Sequence, residues 1–549
     1  MEHALTKRDE CDADRKSAGD IVVEALRAEG VTTIFGIVGS HVVGIYEALR
    51  RAPDIRAVSA RHEGAASFMA AGMARLTGEV GVTVVTAGPG VLNALNGVAQ
   101  AEFFAEPIVI MAGGPPLGAK PYELHGLASE EYCVDCVRPL VKFAARARSL
   151  EELAELLSRA FQISRSGRPG PAYIEIPWNL FVHGATACVR YEPSKVVRNG
   201  IDPASLQEAC DALALAERPL LIIDKGVLHQ EGRSQLAKLA GAFGAGLAVT
   251  RDALGAVDEN HPLYCGVVHD HNFGPFGFDA VERADVCLLS GFDAGADNAR
   301  IIEMRAGGAL IQLKETESFE GKSLSEACAF LMRSRQVKPT GQAFRNEHIA
   351  DKHARVAGIE SDPRANLFLR TLASVRKRML PNDISVIDAG NHEVWARTIL
   401  PISGPRSCIG GANWASMGYA LPTAIATRVV HPAERVFCIT GDGCLLMSLS
   451  DLTTFFEVGG PSILLLLNDS EYGMMTDVQK ARFGKSYQSA LPPIDFAALA
   501  QAMGGRAHRI ETPGDIEPVL DDALATEVPV LLDIVCGRPP LPVFPAKEL

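Results

Sequence analysis

No stretch of this chain is apolar for the ~18 to 20 residues that a bilayer-spanning helix needs. Residues 1–17 are charged where a signal peptide would be apolar. These two absences predict a cytosolic protein with no membrane partner. Basic charge is also in deficit, because 53 Lys and Arg stand against 66 Asp and Glu, a net charge of -13. That balance offers no general attraction to nucleic acid or to an anionic lipid surface. One CxxC occurs, Cys133-Val134-Asp135-Cys136, without the second CxxC or the clustered histidines that would complete a zinc site. The 12 cysteines read mostly as small core residues, and a cytosolic setting argues against a disulfide framework. No short tandem repeat is present. A small-molecule enzyme is the class left standing.

The chain has the means to fold as one. Its 549 residues are 47% hydrophobic, enough for sizeable cores in about three to four domains at the usual size. In the first third, Asp20 is placed to cap a helix over 21–29, and strands are expected at 32–38, 55–60, 80–87 and 107–112 with helices between them. In the middle, strands are expected at 219–223, 247–250, 285–290 and 309–313. Strand followed by helix, repeated, means parallel sheets covered on both faces. Residues 115–131 are irregular and polar, as a substrate-facing loop would be, and contain His125. The charged, weakly periodic stretch 315–362 reads as a linker.

Residues 435–475 carry the densest pattern. An apolar strand at 436–440 stops at Gly441-Asp442-Gly443, a helix is expected over 448–458, and a second apolar strand at 463–467 stops at Asn468-Asp469-Ser470. A right-handed βαβ unit brings both strand ends to one edge, the ligand crevice of an open parallel sheet. Hard oxygen donors there suit Mg²⁺ carrying a diphosphate. The alternative for a lone GDG is an ordinary turn.

With 24 residues between GDG and Asn468-Asp469, the stretch resembles the thiamin diphosphate signature of the pyruvate decarboxylase and acetolactate synthase superfamily. The resemblance implies Mg²⁺ ligation by Asp442, by Asn468 or Asp469, and by the carbonyl of Glu471. It also implies cofactor contacts at Gly441, Gly443, Cys444, Tyr472, Gly473 and Met474. The segment Arg61-His62-Glu63 resembles the family's pyrimidine-binding Glu, whose carboxylate favours the ring tautomer that deprotonates the thiazolium; burial of that carboxylate is the expected means. Thr86 to Asn93, TAGPGVLN, is similar to the turn beside the pyrimidine, with Gly88 and Asn93 as contacts. Gly390-Asn391-His392 matches a diphosphate-contacting strand end. Ser416 and Met417 match the segment in which a bulky apolar residue wedges beneath the cofactor and bends it into a V. Gly39-Ser40-His41 resembles the start of benzaldehyde lyase, which gives His41 a catalytic role in moving protons on a substrate oxygen.

The resemblance covers nearly the whole chain. It implies three doubly wound α/β domains at 17–186 (pyrimidine-binding), 201–335 (central) and 363–545 (diphosphate-binding). It implies an enzyme dependent on thiamin diphosphate and Mg²⁺ that forms or cleaves C–C bonds, acetolactate synthase-like, acting on 2-oxo acids. The alternative is a benzaldehyde-lyase-like or 2-hydroxyacyl-CoA-lyase-like enzyme. Relatives hold FAD or ADP in the central domain, but the expected arginine-rich stretch is replaced here by Phe292-Asp293-Ala294-Gly295-Ala296-Asp297, which leaves both uncertain. A homodimer or homotetramer with active sites at the subunit interface is expected. A non-catalytic scaffold on this fold would not need Glu63, Asp442 and Asn468 together.

Overall fold

The computed structural model describes residues 15–540 apart from 182–186, 194, 197–198, 229–232, 269–275, 294–296, 317–320, 335–343, 405–406 and 412. The expected domain ends at 186, 335 and 545 lie outside the described residues, as does the middle of the 292–297 stretch. The chain forms two compact units, Met1–Arg198 and Asn199–Leu549.

The first unit is built on a six-stranded sheet in the order Arg56–Ser59, Thr33–Gly36, Gly81–Val85, Ile108–Gly114, Ala172–Pro177, Phe143–Arg146, with every pairing parallel. The four inner strands Thr33–Gly36, Gly81–Val85, Ile108–Gly114 and Ala172–Pro177 are buried throughout, as expected where helices cover both faces. The first helix, Ala18–Ala28, begins one turn earlier than the sequence suggests. Ser17 caps it, and Asp20 closes the capping box from the third position instead of acting as the cap.

The second unit holds two parallel sheets. The central one has five strands in the order Tyr264–Val268, Gly246–Thr250, Pro219–Ile223, Val286–Ser290, Ala309–Leu313. The other has six, in the order Cys408–Gly410, Ile384–Ile387, Val436–Gly441, Ser462–Asn468, Val530–Val535, Arg506–Ile510. Both six-stranded sheets therefore follow one chain order, second strand, first, third, fourth, sixth, fifth. In this order the topological switch lies between the first and third strands, and ligands bind beyond the carboxyl ends there. The expected linker over 315–362 is largely helical, with helices Leu324–Ser334 and Glu347–Ser361. Lys352 on the latter is buried and bonds Glu259 at 2.8 Å and the Arg397 carbonyl at 3.1 Å, which ties a loop between two central strands to helix Asn391–Ile399. Polar periodicity hid this helix because its one buried cation is satisfied by distant partners.

Cores are apolar and closely packed. Phe104 and Phe161 in the first unit, and Phe437 and Phe455 in the second, are almost fully buried; each contributes about 1.5–3 kcal/mol relative to exposure. Ten described cysteines are free thiols and seven of these are buried, while Cys188 is disulfide-bonded. Among the described residues no helix is long and apolar enough to cross a membrane.

Candidate active site

In the first unit the switch point brings together the turns after Thr33–Gly36 and Gly81–Val85. Gly39 is needed there, because a Cβ would come within 2.6 Å of the Thr86 side chain. Helix Glu63–Thr77 starts at an N-cap, His62, whose ring accepts from the Gly64 amide at 3.0 Å. Helix Pro89–Phe104 starts at Gly88, which takes φ 63 and ψ -107, a conformation suited to glycine. The two helices pack together, and Ser67 bonds the Ala94 carbonyl across them at 2.9 Å.

This packing joins two of the sequence motifs. The Asn93 amide donates to Glu63 Oε2 at 3.0 Å, and a Cβ on Gly90 would stand 3.3 Å from Oε1. Glu63 is half-buried in this chain, more open than the buried carboxylate expected from the sequence. His41 is buried, with its Nδ1 3.0 Å from Ser40 Oγ. The irregular 115–131 loop brings His125 to it, edge to face with ring centroids 5.1 Å apart. Burial, then the His125 ring, hold His41 below its ordinary value, against the main chain of Leu124, which favours the proton. Tyr122, Leu124 and His125 all have positive φ, at 67°, 37° and 63°. Three such residues in four mark a loop whose shape is imposed by its surroundings. The Tyr132 hydroxyl contributes by donating to the His125 carbonyl at 2.5 Å.

In the second unit the switch lies between Ile384–Ile387 and Val436–Gly441. The latter strand runs straight into helix Asp442–Ser448, so Asp442 opens a helix and does not sit in a free turn. The helix expected over 448–458 is accordingly split, with a 3-10 turn at Leu449–Asp451 before Leu452–Val458. Ser450 and Asp451 bond each other there, the competition with main-chain bonding that such residues offer. Gly443 leaves room for the Tyr472 ring, to which a Cβ would approach within 2.6 Å, and a Cβ on Gly441 would meet the His392 ring at 3.0 Å. Cys444 Sγ donates to the Ala389 carbonyl at 3.1 Å, pinning this helix to the neighbouring strand end.

The Asp442 carboxylate accepts from the Gly443 and Ser470 amides, each at 2.7 Å, and burial still pushes it up to about 6. Asp469 is pushed up to about 7 by burial, then by Asp442 and Glu471, against Arg538. Asn468 is drawn the other way. Strand Ser462–Asn468 extends one residue past the expected stop, and the Asn468 amide nitrogen donates inward to Asp533 at 2.8 Å and to the Ile494 carbonyl at 2.9 Å. Glu471 is held by Thr476 and Arg538, each at 2.8 Å. Tyr472 caps helix Gly473–Phe483, and Met474 packs on the core.

Two polar atoms beside these carboxylates are buried with no partner, Asn391 Oδ1 and His392 Nε2. Burial drives His392 down to about 3, so it is neutral. Gly390, at φ 147, opens the helix that carries both. The donors fit a divalent cation with a diphosphate: desolvated like charges at Asp442 and Asp469 call for a cation, and the orphaned atoms call for a polar ligand. Among the described residues no group of three His, Cys, Asp or Glu side chains holds a metal alone. A main-chain carbonyl and ligand oxygens would therefore complete the shell. Ser416 is buried and Met417 half-buried, and the segment that carries them is anchored where Gly418 donates to Asp388 at 3.0 Å.

Among the described residues the central sheet offers no comparable cradle. At its own switch point the Asp224 amide donates to the Ser290 carbonyl at 2.9 Å, the Gly226 amide donates to the Gly291 carbonyl at 3.0 Å, and Lys225 pairs with Asp293. These bonds join the two turns across the crevice. The described residues there do not fit a flavin or adenine diphosphate.

Residues that sequence reasoning did not mark are Asp388, Arg538, Arg251 and Asp252. Asp388 offered one signal, an acid at a strand's carboxyl end two residues before Gly390. The others act across the fold and left no local trace.

Comparison with known proteins matches three thiamine pyrophosphate enzyme descriptions in chain order: the N-terminal TPP binding domain at residues 16–131, the central domain at 206–336 and the C-terminal TPP binding domain at 388–534. The chain is 29% identical to the acetolactate synthase isozyme 2 large subunit of Escherichia coli K12, over 93% of this chain and 94% of that one. It is 28% identical to the isozyme 3 large subunit of the same organism, over 92% of each. It is 27% identical to a probable acetolactate synthase large subunit of Methanococcus aeolicus, over 94% of this chain and 91% of the relative.

Proposed function

We propose, for a chain that belongs to the thiamine pyrophosphate enzymes, an acetolactate synthase-like carboligation in which a 2-oxo acid loses CO₂ and its acyl group is joined to a second carbonyl compound. The observation that carries this reading is the paired Asp442 and Asp469 beneath the unpartnered Asn391 and His392 atoms, a place built for a metal diphosphate.

When bound, thiamin diphosphate supplies a carbanion-forming carbon that adds to carbonyl groups. The chain's residues do the rest. Asp442, Asp469 and the Glu471 carbonyl would hold Mg²⁺, while Asn468 braces the strand through Asp533. Glu63 would hold a proton at the cofactor's pyrimidine nitrogen. Asn93 orients that carboxylate through one hydrogen bond, which leaves Oε1 for the ring. Met417 supports the cofactor from below. His41, kept neutral by burial, accepts or returns a proton at a substrate oxygen. As the resemblance implies, Glu63 and Asp442 of different subunits complete one site, so sedimentation should find at least a dimer.

A second reading, a benzaldehyde-lyase-like or 2-hydroxyacyl-CoA-lyase-like cleavage, is favoured by the buried His41 with its Ser40 and His125 neighbours. One experiment separates the two readings. The protein is incubated with thiamin diphosphate, Mg²⁺ and a panel of 2-oxo acids, acyloins and 2-hydroxyacyl-CoAs, and CO₂ and products are read by mass spectrometry. Carboligation requires CO₂ release with a longer product; fragments without CO₂ would replace it with the lyase reading.

A further inference from the structure

The segment 413–418, which carries Met417, is held at both ends by buried carboxylates. At its far end Asp388 accepts from the Gly418 amide at 3.0 Å and the Ala420 amide at 3.3 Å. Thr440 and the Ala389 amide also bond Asp388, so this acid is locked at the carboxyl ends of two strands. At its near end Asn413 is gripped by Asp252, in the turn that follows central strand Gly246–Thr250: the Asn413 amide donates to Oδ1 and its side chain to Oδ2, each at 3.0 Å. Between the two anchors Ala415 takes φ 51, which a non-glycine residue keeps only where its surroundings enforce it.

The residue before Asp252 makes a matching grip. Arg251 donates to Glu393 at 2.7 Å, and the other Glu393 oxygen pairs with Arg397 at 2.6 Å. Glu393 lies one residue past His392, on the helix of the two unpartnered atoms. One turn, Arg251–Ala253, thus reaches both elements of the cradle with opposite charges. It is itself braced. Asn298 donates to Asp252 at 3.0 Å and faces Asp224, which Thr250 also bonds. Asp252, Asp224 and Glu393 are almost fully buried, so the carboxylate of each grip is shielded from solvent.

We infer that Arg251 and Asp252 are positioning residues through which the central domain sets the shape of the cofactor site. Asp252 fixes the height of Met417 through Asn413, and Arg251 fixes the diphosphate helix through Glu393. The inference rests on the reading of Met417 as the support beneath thiamin diphosphate. It gives the central sheet a catalytic role that requires no nucleotide of its own.

The test follows the rate at which deuterium replaces the C2 proton of enzyme-bound thiamin diphosphate, in the full chain with Mg²⁺, by quench and NMR. A misplacement near 1 Å is enough to slow an oriented proton transfer by about a hundredfold. Asp252→Ala is expected to slow exchange by about ten- to a hundredfold, with cofactor affinity changing far less. Asp252→Asn, which keeps an acceptor for the Asn413 amide, should fall between. Asn413→Ala removes an exposed side chain and one of the two bonds to Asp252 while keeping the main-chain one, so it should slow exchange to a similar intermediate extent and tests the grip even where Asp252→Ala does not fold. Arg251→Met should act mainly on the cofactor's dissociation constant. Wild-type exchange in Asn413→Ala and in folded Asp252→Ala, with exchange lost in Glu63→Gln, would overturn the positioning role and leave the proposed function intact. No acceleration of exchange by the wild-type protein would overturn both.

Discussion

The two units hold their candidate functional carboxylates in opposite ways. Glu63, in the first unit, is half-buried and meets one side-chain donor, Asn93. Asp442, in the second, is buried and takes two main-chain amides, with Asp469 pressed beside it. A group that hands a proton back and forth works with one firm contact and a free oxygen. Groups that hold a cation do better desolvated and crowded, since the cation then relieves a standing electrostatic cost. In the proposed function this contrast matches a proton-handling role for Glu63 and a cation-holding role for Asp442 and Asp469.

The sharpest way to break that contrast is Glu63→Gln. Turnover should fall by about 10²–10⁴-fold, while the thermal midpoint and the cofactor's dissociation constant stay near wild type; a loss of binding equal to the loss of rate would merge the two roles. Next comes Asp442→Ala, which should weaken Mg²⁺-dependent cofactor binding by on the order of a hundredfold in calorimetric titration. Unchanged titration would remove the metal assignment. Asp469 and Asn468 divide the cation-holding role further. Asp469→Ala should weaken Mg²⁺ binding with little effect on stability. Asn468→Ala should cost about 1–3 kcal/mol in denaturant unfolding, because Asp533 Oδ1 loses its donor while only Oδ2 keeps one, from the Phe496 amide. If the two variants exchange phenotypes, Asn468 is the ligand.

The last effect concerns an acid that serves neither role. Glu106, at the start of Ile108–Gly114, is fully buried, with neither oxygen hydrogen-bonded and Arg75 3.8 Å away. Burial pushes it up to about 8. A raised carboxyl favours the protonated folded form, so this group costs nothing below the unfolded value near 4.5. Its cost grows as pH rises from there to about 8, at about 1.4 kcal/mol per unit at the steepest. Glu106→Gln should flatten the fall of stability across that window in urea melts at several pH values. An unchanged slope would mean that Arg75 already holds the charge.

Much of the fold was legible because its signals are local. The strands at 219–223 and 309–313 are found where apolar runs place them. Glycines announced the turns, and at Gly39, Gly88 and Gly443 the close approaches that require them are visible. Local signals failed where a tertiary contact outweighed propensity. Asp442 opens a helix because the strand beneath it leads directly into one, and the helix at 347–361 forms around Lys352, whose partners lie far along the chain. His125 gave no sign beyond standing in a polar loop, since its meeting with His41 depends on how that loop folds back.

By itself, then, the sequence determined the alternation of strands and helices, the polar clusters at strand ends and the family to which those clusters belong. Periodicity, turn chemistry and motif spacing are properties of neighbouring residues. Only the tertiary structure decided which of Asn468 and Asp469 turns toward Asp442, and that Asp252 and Asn413, 161 residues apart, meet. Those outcomes follow from sheet order and from the packing of buried polar groups, each of which must find a partner wherever the whole fold supplies one.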